Sequence, residues 1–241
     1  MKLLIIRHGD PNYEIDSLTE KGWKEAEMLA ERIAPLDIKA YYVSPLGRAR
    51  DTASLTLKKA GREAEILPWA REYNTRILGE NGERRIPWDM LPEKWTAVPE
   101  YYDKDKWYDV PVMKEAGMEE GLRWVWDGLD ELLARHGYKR EGMYYRAENP
   151  NEDTIAIFCH FGVECVILGH LLGISPMALW HGFMAAPTSV TTVNTEERRD
   201  GIASFRVSAF GDISHLYVKG EEPAFAGRFC ETFANTEQRH D

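Results

Sequence analysis

The sequence contains little cysteine. Its 241 residues include only Cys159, Cys165 and Cys230, and no two of them form a C-x-x-C pair. Three thiols cannot all pair, and structural zinc sites usually show paired cysteine spacings. We therefore expect free thiols in a reducing cytoplasm and no disulfide framework. A chain of this length buries roughly 70–75% of its unfolded surface, so one core is stable without such cross-links.

Long apolar runs and an excess of basic residues are also missing. Only four apolar residues, Leu3 to Ile6, precede Arg7 and His8, which is too few for a signal-peptide core or a membrane span. The net charge of -10, from 40 acidic and 30 basic side chains, disfavours general binding to nucleic acid or to anionic membranes. The sequence thus predicts a cytoplasmic, enzyme-sized domain with neither nucleic-acid nor membrane partners. An anionic ligand requires a local basic pocket.

What the sequence does contain is an alternation of short apolar runs and amphipathic segments. Three continuous apolar runs are typical of strands buried on both faces of a sheet: Leu3–Ile6, Ala40–Val43 and Ile155–Phe158. Thr19 is predicted to cap the helix after the first run, and Ser44 and Pro45 to begin the helix after the second. Strand followed by helix, repeated, predicts an α/β fold with a doubly wound, mostly parallel sheet flanked by helices. The period-two stretches 188–194 and 202–210 predict late strands.

Residues 80–116 differ in composition from the segments around them. The segment is too aromatic for a flexible linker and too rich in proline for one long helix. We interpret residues 1–241 as a single domain in which 80–116 is a capping insertion, a packed lobe of short helices. Its prolines and large aromatic residues are Pro87, Trp88, Pro92, Trp95, Pro99, Tyr101, Tyr102, Trp107, Tyr108 and Pro111.

Cationic and imidazole side chains stand at the ends of the predicted strands. Arg7 and His8 follow the first run, Arg48 lies in the first turn of the helix after the second, and His160 follows the third. The carboxyl ends of parallel strands meet at one edge of a sheet, so we expect these side chains to converge. The helix that begins after His160 adds unpaired N–H groups, and arginine forks bind phosphate oxygens bidentately. The sequence therefore predicts a site for a phosphoryl group.

Four motifs stand in a fixed order along the chain: Arg7-His8-Gly9, Leu18–Gly22, Ser44–Ala49 with Thr52-Ala53, and His160. In this order they resemble the histidine phosphatase superfamily, in its phosphoglycerate mutase-like branch. The resemblance covers most of residues 2–72 and 117–216 and leaves the insertion uncovered. An Arg-His-Gly tripeptide alone is a weak signal, whereas the ordered set at predicted strand ends is specific.

The resemblance implies a role for each of these side chains. His8 is expected to be the nucleophile that forms a phosphohistidine, while Arg7, Arg48 and His160 hold the phosphoryl oxygens and His160 also takes part in catalysis. It implies no metal and no other cofactor. Neighbouring arginines independently favour a neutral, nucleophilic imidazole. The expected partner is a small phosphate ester, and the sequence does not indicate an oligomeric state.

Hydrolysis also requires a general acid, because an alkoxide leaves slowly unless it is protonated. Glu72 is the candidate that the resemblance implies, in a stretch that aligns loosely with the acid of the family. Glu80 and Glu83 are the alternatives. These assignments favour a phosphatase; phosphoglycerate mutase-type transfer and a non-catalytic phospholigand-binding module remain as alternative functions.

Two departures from the family pattern bear on that choice. Asp10, Pro11 and Glu14 stand where the mutases and many phosphatases have acidic, hydroxyl and asparagine residues, which favours hydrolysis over transfer. Asn12 is near enough in sequence to replace the missing amide. Phe161 is inserted between His160 and the following glycine.

Cys159 raises two alternative chemistries. Cysteine-dependent phosphatases carry an arginine six positions after the cysteine, and here that position is Cys165. A zinc site from Cys159, His160 and Cys165 has no second ligand cluster to complete it. We therefore expect Cys159 to be a small buried residue. We also expect structural roles for His136, His170 and His215.

Overall fold

The computed structural model describes residues 1–79, 81–228 and 230–237. Its strands are β1 (Lys2–Arg7), β2 (Pro11–Asn12), β3 (Ser17–Leu18), β4 (Ala40–Val43), β5 (Ala64–Ile66), β6 (Ile77–Leu78), β7 (Arg84–Arg85), β8 (Tyr138–Glu141), β9 (Tyr144–Ala147), β10 (Thr154–Cys159), β11 (Val190–Arg199) and β12 (Ile202–Asp212). Its α-helices are α1 (Glu20–Ile33), α2 (Gly47–Ala60), α3 (Pro92–Trp95), α4 (Pro111–Glu115), α5 (Met118–Arg135), α6 (Phe161–Leu172), α7 (Pro176–Gly182) and α8 (Ser214–Tyr217). Short 3₁₀ turns span Pro68–Ala70, Pro87–Asp89, Pro99–Tyr102 and Trp107–Asp109. No helix within the described ranges is long and apolar enough to cross a membrane.

An eight-stranded sheet in the order β5-β4-β10-β1-β11-β12-β9-β8 forms the centre of the molecule. β5, β4, β10 and β1 run parallel, and the remaining four strands extend the sheet in antiparallel fashion. The three strands predicted from apolar runs are adjacent in the parallel half. The predicted doubly wound α/β class is confirmed. The two predicted late strands are also present as β11 and β12, which pair in antiparallel fashion and are separated by residues 200–201.

Alternating side chains of β1 pack into two separate layers. Leu3 and Ile5 belong to the core that includes α5 and α6, whereas Leu4 and Ile6 belong to the core that includes α1 and α2. Successive side chains of a strand point to opposite faces, so a strand covered on both faces must be apolar throughout. This explains why β1 reads as an uninterrupted apolar run.

The start of α2 differs from the prediction. Ser44 and Pro45 do not begin the helix: its first residue is Gly47, and Leu46 occupies the N-cap position without a side-chain hydrogen bond. The Ser44 hydroxyl instead lies 2.7 Å from Nε2 of His160. Ser44 is fully buried at the end of β4, and its hydroxyl oxygen also accepts the amide of Leu46 at 3.3 Å, so it joins the start of α2 to the end of a neighbouring strand.

The helix boundaries predicted at Thr19 and Gly61 are confirmed. The Thr19 side chain accepts a hydrogen bond from the Gly22 amide at 3.0 Å and so caps α1. Gly61 ends α2 with φ of 64°, a left-handed conformation that glycine adopts without strain.

The segment between β7 and α5 consists of short helical turns, and its aromatic residues join the main core. Tyr101, Trp107 and Met113 are at most 1% exposed and belong to the same apolar cluster as α5 and α6. We had expected a lobe with its own core. Because the lobe shares its core with the sheet domain, its position relative to α6 is fixed by packing.

Candidate active site

The ends of β1, β4 and β10 bring the sequence-predicted side chains together. The rings of His8 and His160 lie with their centroids 4.9 Å apart. Nε of Arg48 lies 3.4 Å from Nε2 of His8. His8, His160, Arg7 and Arg48 are all buried. Two imidazoles and two guanidiniums thus occupy one edge of the sheet.

His8 is held in a neutral form whose Nε2 carries no proton and accepts a hydrogen bond from Nε of Arg48. Its Nδ1 lies 2.7 Å from the carbonyl oxygen of Gly9. A carbonyl can only accept, so Nδ1 carries the proton and Nε2 keeps its lone pair. Burial, reinforced by the charges of Arg7 and Arg48, lowers the pKa of His8 well below the usual range of histidine. Nε2 is therefore available as a nucleophile at neutral pH.

Arg48 is fixed by a residue that sequence reasoning missed. Nη1 of Arg48 lies 2.5 Å from Oδ1 of Asp16, and the amide of Gly47 donates to Oδ2 at 2.7 Å. A Cβ on Gly47 would lie 2.0 Å from the backbone oxygen of Asp16, so the close approach requires glycine. Cζ of Arg48 also lies over the ring of Tyr13, 5.4 Å from the ring centroid. The loop after β1 thereby orients Arg48.

Arg7 is held by backbone carbonyl groups. Its Nη1 donates to the oxygen of Ala185 and, at 3.4 Å, to that of Ala226. Gly227 has φ of 86°, and a Cβ there would lie 2.5 Å from Nη1 of Arg7. The segment after Gly220 has no helix or strand in its described residues, yet it packs directly on Arg7.

Polar atoms without a protein partner lie at the strand ends. Among the described residues, nothing pairs with Nε of Arg7 or with Nδ1 of His160, although both atoms are buried. In the tautomer with its proton on Nδ1, His160 accepts the Ser44 hydroxyl at Nε2 and has one unpaired N–H; in the other tautomer Nε2 donates to Ser44 and Nδ1 is an unpaired acceptor. Buried donors are costly to leave unpaired, so Nε of Arg7 and the first tautomer of His160 suit an anionic oxygen.

Glu72 lies against the N-terminus of α6. Its Oε1 accepts hydrogen bonds from the amides of Tyr73, at 2.9 Å, and Val163, at 3.2 Å. Burial raises the pKa of Glu72, although Arg7 opposes the shift. Because both amides bond to Oε1, the second oxygen is the one that can meet a ligand. The amide of Val163 is engaged by this carboxyl group, so the N-terminus of α6 presents fewer free N–H groups than the sequence suggested.

The other candidates for the acid and for phosphate contacts are placed differently. Glu83 is exposed and its carboxylate bonds to Arg85, which lowers the pKa of Glu83 and keeps it ionised. Glu80 lies outside the described residues. Oδ1 of Asn12 accepts a hydrogen bond from the amide of Glu14 at 3.1 Å, so this oxygen stabilises the loop after β1.

A second buried carboxyl group lies in the first turn of α6. Glu164 is 1% exposed, and burial raises its pKa to about 7. Its charge interacts with that of Arg7. A glutamate inside the otherwise apolar stretch from Val163 to Leu172 is a signal that sequence reasoning overlooked.

The two buried cysteines and four further histidines of the described residues have structural environments. Cys159 and Cys165 are fully buried, and burial raises the pKa of both thiols well above the usual range, which disfavours a nucleophilic thiolate. In the ranges that the structure describes, no three His, Cys, Asp or Glu residues cluster so as to hold a metal ion. Four histidines outside the site each make a hydrogen bond within the protein: His136 to Tyr42, His170 to Asp130, His181 to Met177 and His215 to Thr188.

Comparison with known proteins places this geometry in a family. Residues 3–207 match the profile of the histidine phosphatase superfamily (branch 1). The adenosylcobalamin/alpha-ribazole phosphatase of Escherichia coli is 23% identical over 75% of this chain and 84% of its own. A probable phosphoglycerate mutase of Erwinia tasmaniensis is 23% identical over 90% of this chain and 95% of its own. The crystal structure of a mutant phosphoserine phosphatase from Entamoeba histolytica, in complex with phosphoserine, superposes with a TM-score of 0.59, at 20% identity, over 89% of this chain and 98% of that one.

Proposed function

Because the chain belongs to the histidine phosphatase superfamily, we propose that it is a phosphomonoesterase that hydrolyses a small phosphorylated metabolite through a phosphohistidine at His8. The observation that carries this proposal is the neutral His8 ring, whose unprotonated Nε2 accepts a hydrogen bond from Nε of Arg48 and lies next to His160. A nucleophile flanked by cationic and hydrogen-bond donors is what phosphoryl transfer requires.

In the first step, Nε2 of His8 attacks phosphorus and the bond from phosphorus to the ester oxygen breaks. Arg7, Arg48 and the unpaired N–H of His160 stabilise the charge on the three remaining oxygens. Glu72 gives its proton to the departing oxygen, so that an alcohol leaves instead of an alkoxide.

In the second step, water attacks the phosphohistidine. The carboxylate of Glu72 takes a proton from this water, the bond from phosphorus to Nε2 breaks, and inorganic phosphate leaves. His8 and Glu72 return to their starting protonation states. Burial raises the pKa of Glu72, which keeps the carboxyl group protonated to higher pH than in a free glutamate and favours its role as the acid.

Release of phosphate from a panel of phosphorylated metabolites tests the proposal. The assay is run with and without a bisphosphorylated glycerate primer. We expect phosphate release that does not depend on the primer, since Pro11 and Glu14 replace residues that the mutases of the family carry. Product isomers that appear only with the primer would favour the mutase reaction.

The pH dependence of kcat/KM follows from the two groups that exchange protons. The lowered pKa of His8 keeps the nucleophile neutral in acid, so the acidic limb should fall well below the usual histidine pKa of about 6.5. Because the pKa of Glu72 is raised, its carboxyl group loses its proton at a higher pH than a free glutamate does, and the alkaline limb should follow that loss. Steady-state profiles with an alkyl phosphate check both limbs. After the substrate's own second ionisation, at a pKa of about 6, is accounted for, a remaining acidic limb at the ordinary histidine value would contradict the assignment of His8.

Gly162 sits where a side chain would displace the proposed acid. A Cβ there would lie 2.5 Å from Oε1 of Glu72 and 2.5 Å from Trp88. The carboxyl group and the packed indole must both shift to admit the methyl group, so Gly162→Ala should displace Glu72 and lower kcat for alkyl phosphates roughly 10- to 100-fold. The matched control is Gly182→Ala in α7, where nothing lies within 4 Å. Equal activity of the two variants, with similar melting temperatures, would show that the position of Glu72 does not limit catalysis.

A further inference from the structure

The insertion places one aromatic side chain beside the proposed general acid. The same point in space, the position of a Cβ on Gly162, lies 2.5 Å from Cη2 of Trp88 and 2.5 Å from Oε1 of Glu72. The edge of the indole and the carboxyl group therefore border one another above the first turn of α6. Trp88 is only partly buried, so part of its ring remains accessible.

Packing against Trp180 holds the indole of Trp88 in place. Its ring packs on that of Trp180 with centroids 5.3 Å apart. Nε1 of Trp180 donates to the carbonyl of Gly162 at 2.9 Å, and Trp107 packs edge-on against Trp180 at 5.4 Å. Trp88 thus forms a rigid wall tied to the helix that positions His160. A rigid aromatic surface binds a partner with little loss of side-chain entropy.

Proton transfer from Glu72 determines which part of the substrate contacts Trp88. The ester oxygen must come within hydrogen-bond distance of Glu72 to receive its proton. The carbon atoms attached to that oxygen consequently lie beside the indole. We propose that Trp88 forms the wall of the leaving-group subsite, and that the substrate is a phosphate monoester whose alcohol carries a planar aromatic or otherwise apolar group close to the ester oxygen. This inference rests on the proposed function and narrows its substrate class.

Two esters with similar alkoxide leaving groups test the inference. Benzyl phosphate carries a ring next to the ester oxygen and ethyl phosphate does not. We expect the wild-type protein to prefer benzyl phosphate in kcat/KM by roughly tenfold or more. Trp88→Ala should remove this preference, and Trp88→Phe should retain most of it. The control is Trp95→Ala in the same lobe, where the ring packs on His181; it should keep the preference.

Binding of unreactive analogues separates this inference from the proposed function. Titration calorimetry with 2-phenylethylphosphonate and propylphosphonate, in which a methylene group replaces the ester oxygen, measures the same discrimination without turnover. We expect tighter binding of 2-phenylethylphosphonate in the wild-type protein, in Trp88→Phe and in Trp95→Ala, but not in Trp88→Ala. If neither ester is hydrolysed but binding of 2-phenylethylphosphonate still depends on Trp88, the phosphatase activity is wrong and the subsite stands. An unchanged preference in Trp88→Ala, or an equal loss in Trp95→Ala, overturns the subsite.

Discussion

His8→Asn should lower kcat for every phosphate ester by roughly 10⁴-fold or more. The asparagine amide can replace the hydrogen bond that Nδ1 of His8 makes with the carbonyl of Gly9 at 2.7 Å, but no atom takes the place of Nε2. The substitution therefore removes the nucleophile and keeps the local backbone contact. Steady-state kinetics with p-nitrophenyl phosphate and with an alkyl phosphate measure the loss.

A histidine outside the site provides the control. His136, half-buried at the end of α5, bonds to the hydroxyl of Tyr42 at 2.8 Å, so His136→Asn should affect thermal stability and leave kcat near its original value. If the wild-type protein releases no phosphate and His8→Ala still binds orthovanadate, the chain is better described as a phospholigand-binding module.

Glu72→Gln should slow poor leaving groups far more than good ones. Without the proton of Glu72 an alkoxide must leave as an anion, and general acid catalysis contributes roughly 10²- to 10⁴-fold. A nitrophenolate leaves without such help, so p-nitrophenyl phosphate should be much less affected. A plot of kcat/KM against the pKa of the leaving alcohol should become steeper in the variant.

Glu80→Gln and Glu83→Gln are matched comparisons for this experiment. Neither should change the dependence on the leaving group, since the carboxylate of Glu83 is already paired with Arg85. Equal losses on activated and unactivated esters would remove Glu72 from the role of acid. A steeper dependence in Glu80→Gln would transfer that role to Glu80.

The parallel half of the sheet could be predicted because burial on both faces leaves a simple sequence pattern. Leu3 to Ile6 can be apolar throughout only in a strand covered on both sides. Once three such strands were identified, the shared edge at which they end predicted the proximity of His8 and His160. In contrast, β8 and β9 alternate only partly, and few of their residues, Tyr138, Tyr145 and Ala147, are buried. Because their exposed positions carry charged side chains, the sequence pattern did not predict these two strands.

The residues that orient the arginines could not be predicted because they come from irregular backbone. Asp16 has φ of 48°, and neither helical nor strand periodicity predicts its contact with Arg48. Gly227 reaches Arg7 from a segment without helix or strand. The prediction that Ser44 caps α2 was wrong for a related reason. A serine before a proline suggests a helix cap, whereas the hydrogen bond between Ser44 and His160 depends on the pairing of β4 with β10.

The central claim is that the phosphoryl group passes through a covalent bond to His8. Its most direct measurement is mass spectrometry of peptides from enzyme quenched in alkali during turnover, since a phosphohistidine survives base and is lost in acid. We expect the mass of one phosphoryl group on the peptide that contains His8, and none in His8→Asn. Turnover without any labelled peptide, or a label on His160 in place of His8, would contradict the account.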